Sequence, residues 1–365
     1  MPGAVAGSRE TPSPPSARLP ADATAQAATA SLVEVRDLSV HFPVLRGALF
    51  KKPIGAIRAV DGVSFSIRKG EVLGLVGESG CGKTTVARAL LKLVAPSSGA
   101  ILIDGEDVWS QDRRAEFAYR RRVQAIFQDP FSSLNPRMSV AEIVGEPFRI
   151  HERAMRAPEI ARRVRDLLGL CGLAGRMIGR YPHELSGGQR QRVGIARALA
   201  LNAELIVCDE AVSALDVSIQ AQIINLLMDL KRDFALTYLF IGHDLGVVKH
   251  ISDWVAVMYL GHVVEMADTA TLFDDPLHPY TTALLSAVPV PDPIAEAARP
   301  HIVLEGEIPS PLSPPRGCVF HPRCPRAIAA CRAERPPLVE EKNGHMAACF
   351  NIESPTSATT PLEVQ

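Results

Sequence analysis

The sequence predicts an α/β fold built on a parallel β-sheet. Three observations carry this prediction. Short apolar runs alternate with helical patterns over much of the chain. A glycine-rich loop follows one apolar run and opens a helix. Four such runs end in polar residues, as neighbouring parallel strands would deliver them to one edge.

Strand-like patterns begin at residues 32–35 and recur at 63–67 and 72–76. Residues 45–58 are expected as a loop, with Gly47, Pro53 and Gly55 as breakers. A helix should follow Gly82, pass through Val86, Ala89, Leu90 and Leu93, and stop before Pro96. Residues 140–180 read as helical, because Ile160, Val164, Leu167 and Leu168 recur at helical spacing while Arg162, Arg163 and Arg165 suit a solvated face. From Leu205 strands and helices alternate again.

The ends of the chain read differently. Residues 1–30 are rich in Ala, Pro, Ser and Thr and lack aromatics, so a disordered tail is expected there, and a second tail at 351–365. After about Pro289 proline becomes frequent and cysteines gather. The expected division is therefore a main domain at 31–289, with a helical subdomain at about 114–190, and a Cys-rich region at 290–350.

Composition narrows the function. The 365 residues carry a formal net charge of -1, which gives no support to a nucleic-acid footprint. No apolar run approaches the roughly 18 residues of a membrane span, and residues 1–30 lack the compact apolar stretch of a secretory signal. A cytosolic protein is expected, whose membrane role, if any, comes through partner subunits.

The strand ends carry the chemistry. Gly77-Glu78-Ser79-Gly80-Cys81-Gly82-Lys83-Thr84 is a complete G-x-x-x-x-G-K-S/T loop between an apolar strand and a helix. Its glycines let backbone N–H groups of Gly77, Ser79, Gly80, Cys81 and Gly82 turn toward phosphate oxygens, and the helix start at Thr84 and Thr85 adds a partial positive charge. Lys83 supplies a point cation, and the Thr84 hydroxyl suits Mg²⁺. At 205–210, four apolar residues lead to Asp209 and Glu210. Asp209 suits the magnesium shell and Glu210 suits a base that polarises water. The run 123–127 ends in Gln128, whose amide can reach a metal and a water. The run 238–241 is followed by Gly242 and His243, a donor suited to a γ-phosphate oxygen. A lone glutamine or histidine means little; the recurrence at four strand ends gives them weight.

A fifth element, Leu185-Ser186-Gly187-Gly188-Gln189, opens another helix with a hydroxyl and bare amides, which is a second anion site. Two phosphate-binding helix ends in one chain suggest two chains sharing two nucleotides.

The order of these motifs, with Ser213-Ala214-Leu215-Asp216, resembles the ATP-binding cassette (ABC) ATPases. The resemblance implies a P-loop NTPase, RecA-like core with an inserted helical subdomain, using ATP and Mg²⁺. It also implies a head-to-tail dimer in which Ser186, Gly187, Gly188, Gln189 and Asp216 complete the partner's nucleotide site. Phe127-Gln128-Asp129-Pro130, Pro276-Leu277-His278-Pro279-Tyr280 and Gly306-Glu307-Ile308-Pro309-Ser310-Pro311 narrow the resemblance to the oligopeptide/dipeptide importer ATPases, over roughly residues 31–350. That implies a peripheral subunit on the cytoplasmic face of the inner membrane. Its partners would be a paralogous second ATPase, two integral-membrane permeases and, indirectly, an extracytoplasmic solute-binding protein. Import of nickel or another small solute, or a non-transport ABC ATPase, stays open. Phe42 is the candidate to stack on adenine. Ala211 and Gly242 depart from the usual residues of the family.

Cys318, Cys324, Cys331 and Cys349 are spaced without C-x2-C knuckles, and four thiolates suit zinc or a 4Fe-4S cluster equally. The resemblance, in which some relatives carry iron–sulfur here, favours the 4Fe-4S cluster with Zn²⁺ as the alternative.

Overall fold

A computed structural model describes residues 31–46, 52–289 and 302–352. The tail expected at 1–30, most of that expected at 351–365, and the boundary near 290 lie outside the described residues.

Two sheets organise the chain. The first is antiparallel, in the order β2-β1-β4-β5, from β1 (Ser31–Arg46), β2 (Lys52–Arg68), β4 (Ser98–Ile103) and β5 (Glu106–Asp107). The second has eight strands in the order β11-β12-β10-β9-β3-β8-β7-β6. Its parallel part comprises β9 (Trp254–Tyr259), β3 (Val72–Val76), β8 (Thr237–Ile241), β7 (Leu205–Asp209) and β6 (Val123–Ile126). Then β10 (His262–Asp268), β12 (His345–Ala347) and β11 (Val339–Lys342) continue it antiparallel.

The central strands are apolar on both faces, as parallel strands covered on both sides must be. Leu73, Leu75, Val207, Leu239 and Ile241 face the antiparallel sheet and helix α1 (Lys83–Leu90), among Val33, Val35, Val86 and Leu90. Their alternates, Val72, Val76, Ile206, Cys208, Tyr238 and Phe240, face the other core with Val193, Ile223 and Leu227. This period-2 division is the strand pleat written into sequence, and each such buried aliphatic contributes roughly 1.5–3 kcal/mol.

The segment 45–58 departs from expectation. It is the far end of the β1–β2 hairpin, where Leu45 pairs with Pro53 and Arg46 with Lys52. A proline survives because β2 is an edge strand, where a missing N–H costs no ladder bond.

Helix α2 (Arg113–Arg122), capped by the Asp112 carboxylate at Ala115 N–H, leads straight into β6. The helical subdomain expected at about 114–190 therefore contains, near its start, one strand of the central sheet, the run 123–127 read as strand-like. Beyond β6 the chain is helical: α3 (Pro130–Ser133), α4 (Val140–His151), α5 (Ala157–Leu170), two 3-10 turns, and α6 (Gly187–Leu199). Ser139 and Glu142 close a reciprocal cap at the start of α4. The remaining helices are α7 (Val217–Phe234), α8 (Leu245–Ile251), α9 (Thr269–Asp274), α10 (Pro279–Ser286) and α11 (Ala329–Ala333). Among the described residues no helix is long and apolar enough to cross a membrane.

The Cys-rich region joins the main sheet through β12 on β10. One buried carboxylate fastens it: Glu265, on β10, accepts hydrogen bonds from Leu277 N–H (2.7 Å), His278 N–H (2.9 Å) and His345 Nε2 (2.7 Å).

Candidate nucleotide site

Four neighbouring strands, β3, β8, β7 and β6, end at one edge of the sheet, and each is followed by a residue singled out in the sequence. After β3 the chain turns through Gly77 and Gly82, with φ of 147° and 113°. Glycine is required at both. A Cβ on Gly77 would sit 2.1 Å from the Met258 carbonyl oxygen, and one on Gly82 would sit 2.2 Å from that of Ala59. Gly82 caps α1, so the N–H groups of Lys83, Thr84 and Thr85 lie in its first turn, that of Thr85 donating to Gly82 O at 2.9 Å. Ser79 and Gly80 are exposed at the loop tip, while Cys81 is buried and its thiol is pushed up by that burial.

Lys83 is buried. Its ammonium donates to the carbonyls of Gly77 (2.7 Å) and Glu78 (3.0 Å), so the loop holds its own cation inward. The Thr84 hydroxyl donates to Asp209 Oδ1 at 3.2 Å, which joins the glycine-lysine loop to the acidic pair. Burial pushes the Asp209 carboxyl above the usual carboxylate range and the neighbouring Glu210 adds to this, against the opposing hydrogen bond from Thr84. A cation at that point would favour the ionised form. The donors at hand, a hydroxyl, a carboxylate and the Gln128 amide, are hard oxygens of the kind magnesium takes.

Glu210 is held in a left-handed backbone conformation, φ 50°. Its N–H donates to Ile241 O (3.0 Å), and its carbonyl accepts from Ser213 N–H and Oγ, both at 3.1 Å. Such strain persists only where surroundings enforce it, and it concentrates at functional sites. The Glu210 carboxylate accepts from Gln128 Nε2 at 2.7 Å and lies 3.7 Å from His243 Nδ1. Gln128, Asp209, Glu210, His243, Lys83 and Thr84 therefore form one linked group. Ala211 and Gly242 leave it intact: Ala211 is buried in the core, and a Cβ on Gly242 would come 3.3 Å from Val248.

Ser186, Gly187, Gly188 and Gln189 make their recorded hydrogen bonds within their own turn. Ser186 N–H donates to Gln189 Oε1 (3.0 Å) and Gln189 N–H returns to Ser186 Oγ (3.3 Å). Gly188 abuts Ile219, where a Cβ would come within 2.6 Å, so the start of α6 packs on the start of α7. Asp216 caps α7 through Ile219 N–H and Ser218 Oγ, and these bonds hold its carboxyl below the usual range. Phe42 lies on β1 opposite Ile57, with 39% of its surface exposed.

The cysteine region does not support the expected iron–sulfur or zinc centre. Among the described residues no group of three or more His, Cys, Asp or Glu side chains is arranged to hold a metal ion. Cys318, Cys324, Cys331 and Cys349 are free. Burial pushes the Cys318 thiol up to about 11 and raises those of Cys324 and Cys349, with the neighbouring cysteines adding to each shift.

Sequence reasoning missed two residues that grip the loop. Tyr280 accepts from Glu78 N–H through its hydroxyl (2.8 Å), and Arg323 forms a two-pronged pair with the Glu78 carboxylate (2.8 and 3.3 Å). No local pattern marks a partner so distant in sequence. Glu265 was detectable, as a carboxylate inside the otherwise apolar run 263–267.

Comparison with known proteins agrees with this geometry. Residues 60–213 match the family described as ABC transporter, and residues 264–331 match the oligopeptide/dipeptide transporter C-terminal region. The chain is 53% identical to the oligopeptide transport ATP-binding protein AppF of Bacillus subtilis (strain 168), over 87% of this chain and 97% of the relative. It is 50% identical to the oligopeptide transport ATP-binding protein OppF of Escherichia coli (strain K12), over 88% and 96%. The post-hydrolysis dimer of the ATP-binding cassette MJ0796, bound to ADP and Pi, superposes with a TM-score of 0.58 at 28% identity, covering 65% of this chain and 98% of that one. With motifs, sheet order and relatives in agreement, the chain belongs to the ABC transporter family and carries the oligopeptide/dipeptide transporter C-terminal region.

Proposed function

We propose that this chain is the ATP-hydrolysing subunit of an importer of oligopeptides or dipeptides, acting at the cytoplasmic face of the membrane. The observation that carries the reading is the linked group at the four strand ends, Lys83–Thr84–Asp209–Glu210–Gln128–His243, in a chain whose relatives are named for oligopeptide transport.

The reaction is in-line attack of water on the γ-phosphorus of ATP. Phosphate oxygens compete with the Gly77 and Glu78 carbonyls for the Lys83 ammonium, which then turns outward to offset developing charge. Thr84, Asp209 and Gln128 would hold Mg²⁺, which would supply neutralisation of the phosphate charge. Glu210, fixed by its pinned backbone, polarises the attacking water. Gln128 keeps the Glu210 carboxylate aimed, and His243 donates to the γ-phosphate. Phe42, exposed on its hairpin, stacks on adenine.

Ser186–Gln189 and Asp216 act in trans, closing on the nucleotide of a second ATPase subunit, a paralogue in a heterodimer. The outward-facing cap turns at the starts of α6 and α7 support this reading. Two permease subunits complete the assembly. The surface suited to them is a groove of 420 Å³ beside Gln128, lined by Leu93, Phe117, Phe127, Ile150, His151 and Arg197. Leu93, Phe117, Phe127 and Ile150 are large exposed apolar side chains, a patch of the kind that marks an interface.

The Glu210→Gln substitution tests the mechanism. It removes the base while keeping an amide-sized group beside Gln128, so turnover of the assembled transporter should fall at least about 100-fold while Mg-ATP binding is kept. Unchanged turnover would show that Glu210 is not the base.

A further inference from the structure

The C-terminal region reaches the nucleotide loop at Glu78. Arg323 Nη1 and Nη2 donate to Glu78 Oε2 and Oε1 at 2.8 and 3.3 Å, a fork-on-fork pair. The arginine side chain is only 8% exposed and the glutamate 25%. The Glu78 main chain is held as well: its N–H by Tyr280, its carbonyl by Lys83 and by Cys81 N–H at 3.2 Å. Arg323 itself stands on a rigid base. Its N–H donates to Phe320 O (3.0 Å), and Phe320 is fully buried edge-on against Tyr259 (5.2 Å between ring centres) and tilted against Tyr280 (5.4 Å). The guanidinium also lies over the Tyr259 ring, 6.0 Å from its centre.

Charge makes this contact more than a tether. Glu78 is an acidic residue inside a loop whose proposed ligand is a polyanion, and an unpaired carboxylate there would repel it. We propose that Arg323 is a positioning residue of the nucleotide site: it holds the Glu78 carboxylate against the C-terminal turn and cancels its charge, so that the loop can accept polyphosphate. The C-terminal region is then part of the nucleotide site of its own chain. This inference rests on the nucleotide reading above. It adds that affinity for ATP depends on a residue about 240 positions beyond the loop, the separation between Glu78 and Arg323 being 245.

The test is titration of the full-length chain with a fluorescent ATP analogue and Mg²⁺, together with steady-state turnover of the assembled transporter. Wild-type chain that binds no nucleotide would sink the nucleotide reading itself. Given wild-type binding, Arg323→Ala should weaken it about tenfold and raise KM for ATP to match, with kcat at saturating ATP within about twofold. Adding Glu78→Gln to that variant should restore most of the affinity, because the repelling charge is gone. Raising salt from about 0.05 to 0.5 M should likewise shrink the defect of Arg323→Ala. If Arg323→Ala does not fold, Arg323→Lys is read instead; it keeps the charge but not the fork, and should lose about threefold, again recovered by Glu78→Gln. Unchanged affinity in the arginine variants would overturn the proposal. So would a loss that neither Glu78→Gln nor salt recovers, which would reduce Arg323 to a support of the C-terminal fold.

Discussion

Removing the Glu265 carboxylate should loosen the C-terminal region from the sheet. The side chain is fully buried on β10 and accepts three hydrogen bonds, from Leu277 N–H, His278 N–H and His345 Nε2. In Glu265→Ala those three donors lose their acceptor in a site closed to solvent. Each stranded donor costs about 1–3 kcal/mol, and partial entry of water into the vacated volume brings the sum to about 3–6 kcal/mol. Whole-domain stability is only about 5–15 kcal/mol, so the loss is large. At roughly 2 °C per kcal/mol for a chain of this size, the melting temperature should drop by about 6–12 °C. Glu265→Gln keeps the shape and one acceptor oxygen but turns an NH₂ toward a donor, so about half that drop is expected. Calorimetry reads the melting temperature. Limited proteolysis reads where the structure opens first, which should be within residues 302–352, because His345 is one of the stranded donors. A melting temperature within about 1 °C of wild type in Glu265→Ala would refute the reasoning, since no buried acceptor of three bonds is that dispensable.

Two further outcomes follow from single positions. Gly82→Ala forces a side chain into a left-handed backbone, φ 113°, with its Cβ 2.2 Å from the Ala59 carbonyl oxygen. The cost is about 3 kcal/mol or more, and Mg-ATP binding by equilibrium titration should be lost or weakened over 100-fold. The second concerns pH. Burial holds His278 at about 4, with the Glu265 carboxylate opposing and Arg326 reinforcing the shift. Its Nδ1 accepts from Tyr280 N–H (3.1 Å), which only the neutral ring can do. The folded pKa lies below the unfolded value of about 6.5, so its contribution is complete above pH 6.5 and is lost as pH falls toward 4, reaching about 3 kcal/mol. Melting temperature should therefore fall across that window, and less steeply in His278→Asn, which can keep the cap. Equal slopes for the two proteins would exclude the histidine.

Much of the site was legible because it is local. The glycine-lysine loop, the acidic pair after 205–208 and the serine-glycine turn each lie within a few residues, and each sits where strand and helix patterns meet. Parallel neighbours then follow from chain chirality and crossover length, which is why Gln128, Glu210 and His243 could be assigned to one edge before any contact was known. What stayed hidden is what depends on long-range pairing. The β1–β2 hairpin absorbed Pro53 and Gly55 because an edge strand tolerates them, and no local signal says which strand will be an edge. The run 123–127 was legible as a strand ending in Gln128, but its neighbour in the sheet was not; its pairing with Leu205–Asp209 decides that. The grip of Arg323 on Glu78 and of His345 on Glu265 spans 245 and 80 positions, beyond any pattern in the intervening sequence.

Those two grips differ in what they can transmit. The Glu265 anchor is fully buried, its partners are backbone amides and a histidine, and it faces no part of the proposed ligand. It fixes where the C-terminal region stands. The Arg323 pair is partly open to solvent and ends on the loop whose Gly77 and Glu78 carbonyls hold Lys83, the contacts that the proposed reaction would release. A lever needs both features, a fixed fulcrum and a contact that moves with the load. Between them lies the Tyr259–Tyr280–Phe320 cluster, within a single core, which carries the arginine and the hydroxyl of Tyr280 that holds Glu78 N–H. Packed aromatic cores deform little, so on the proposed role of Arg323 a shift of the C-terminal region would be felt at Glu78. If Arg323 acts as proposed, the C-terminal region sets the shape of its nucleotide loop, and by the reciprocity of such coupling nucleotide binding tightens the C-terminal region in return.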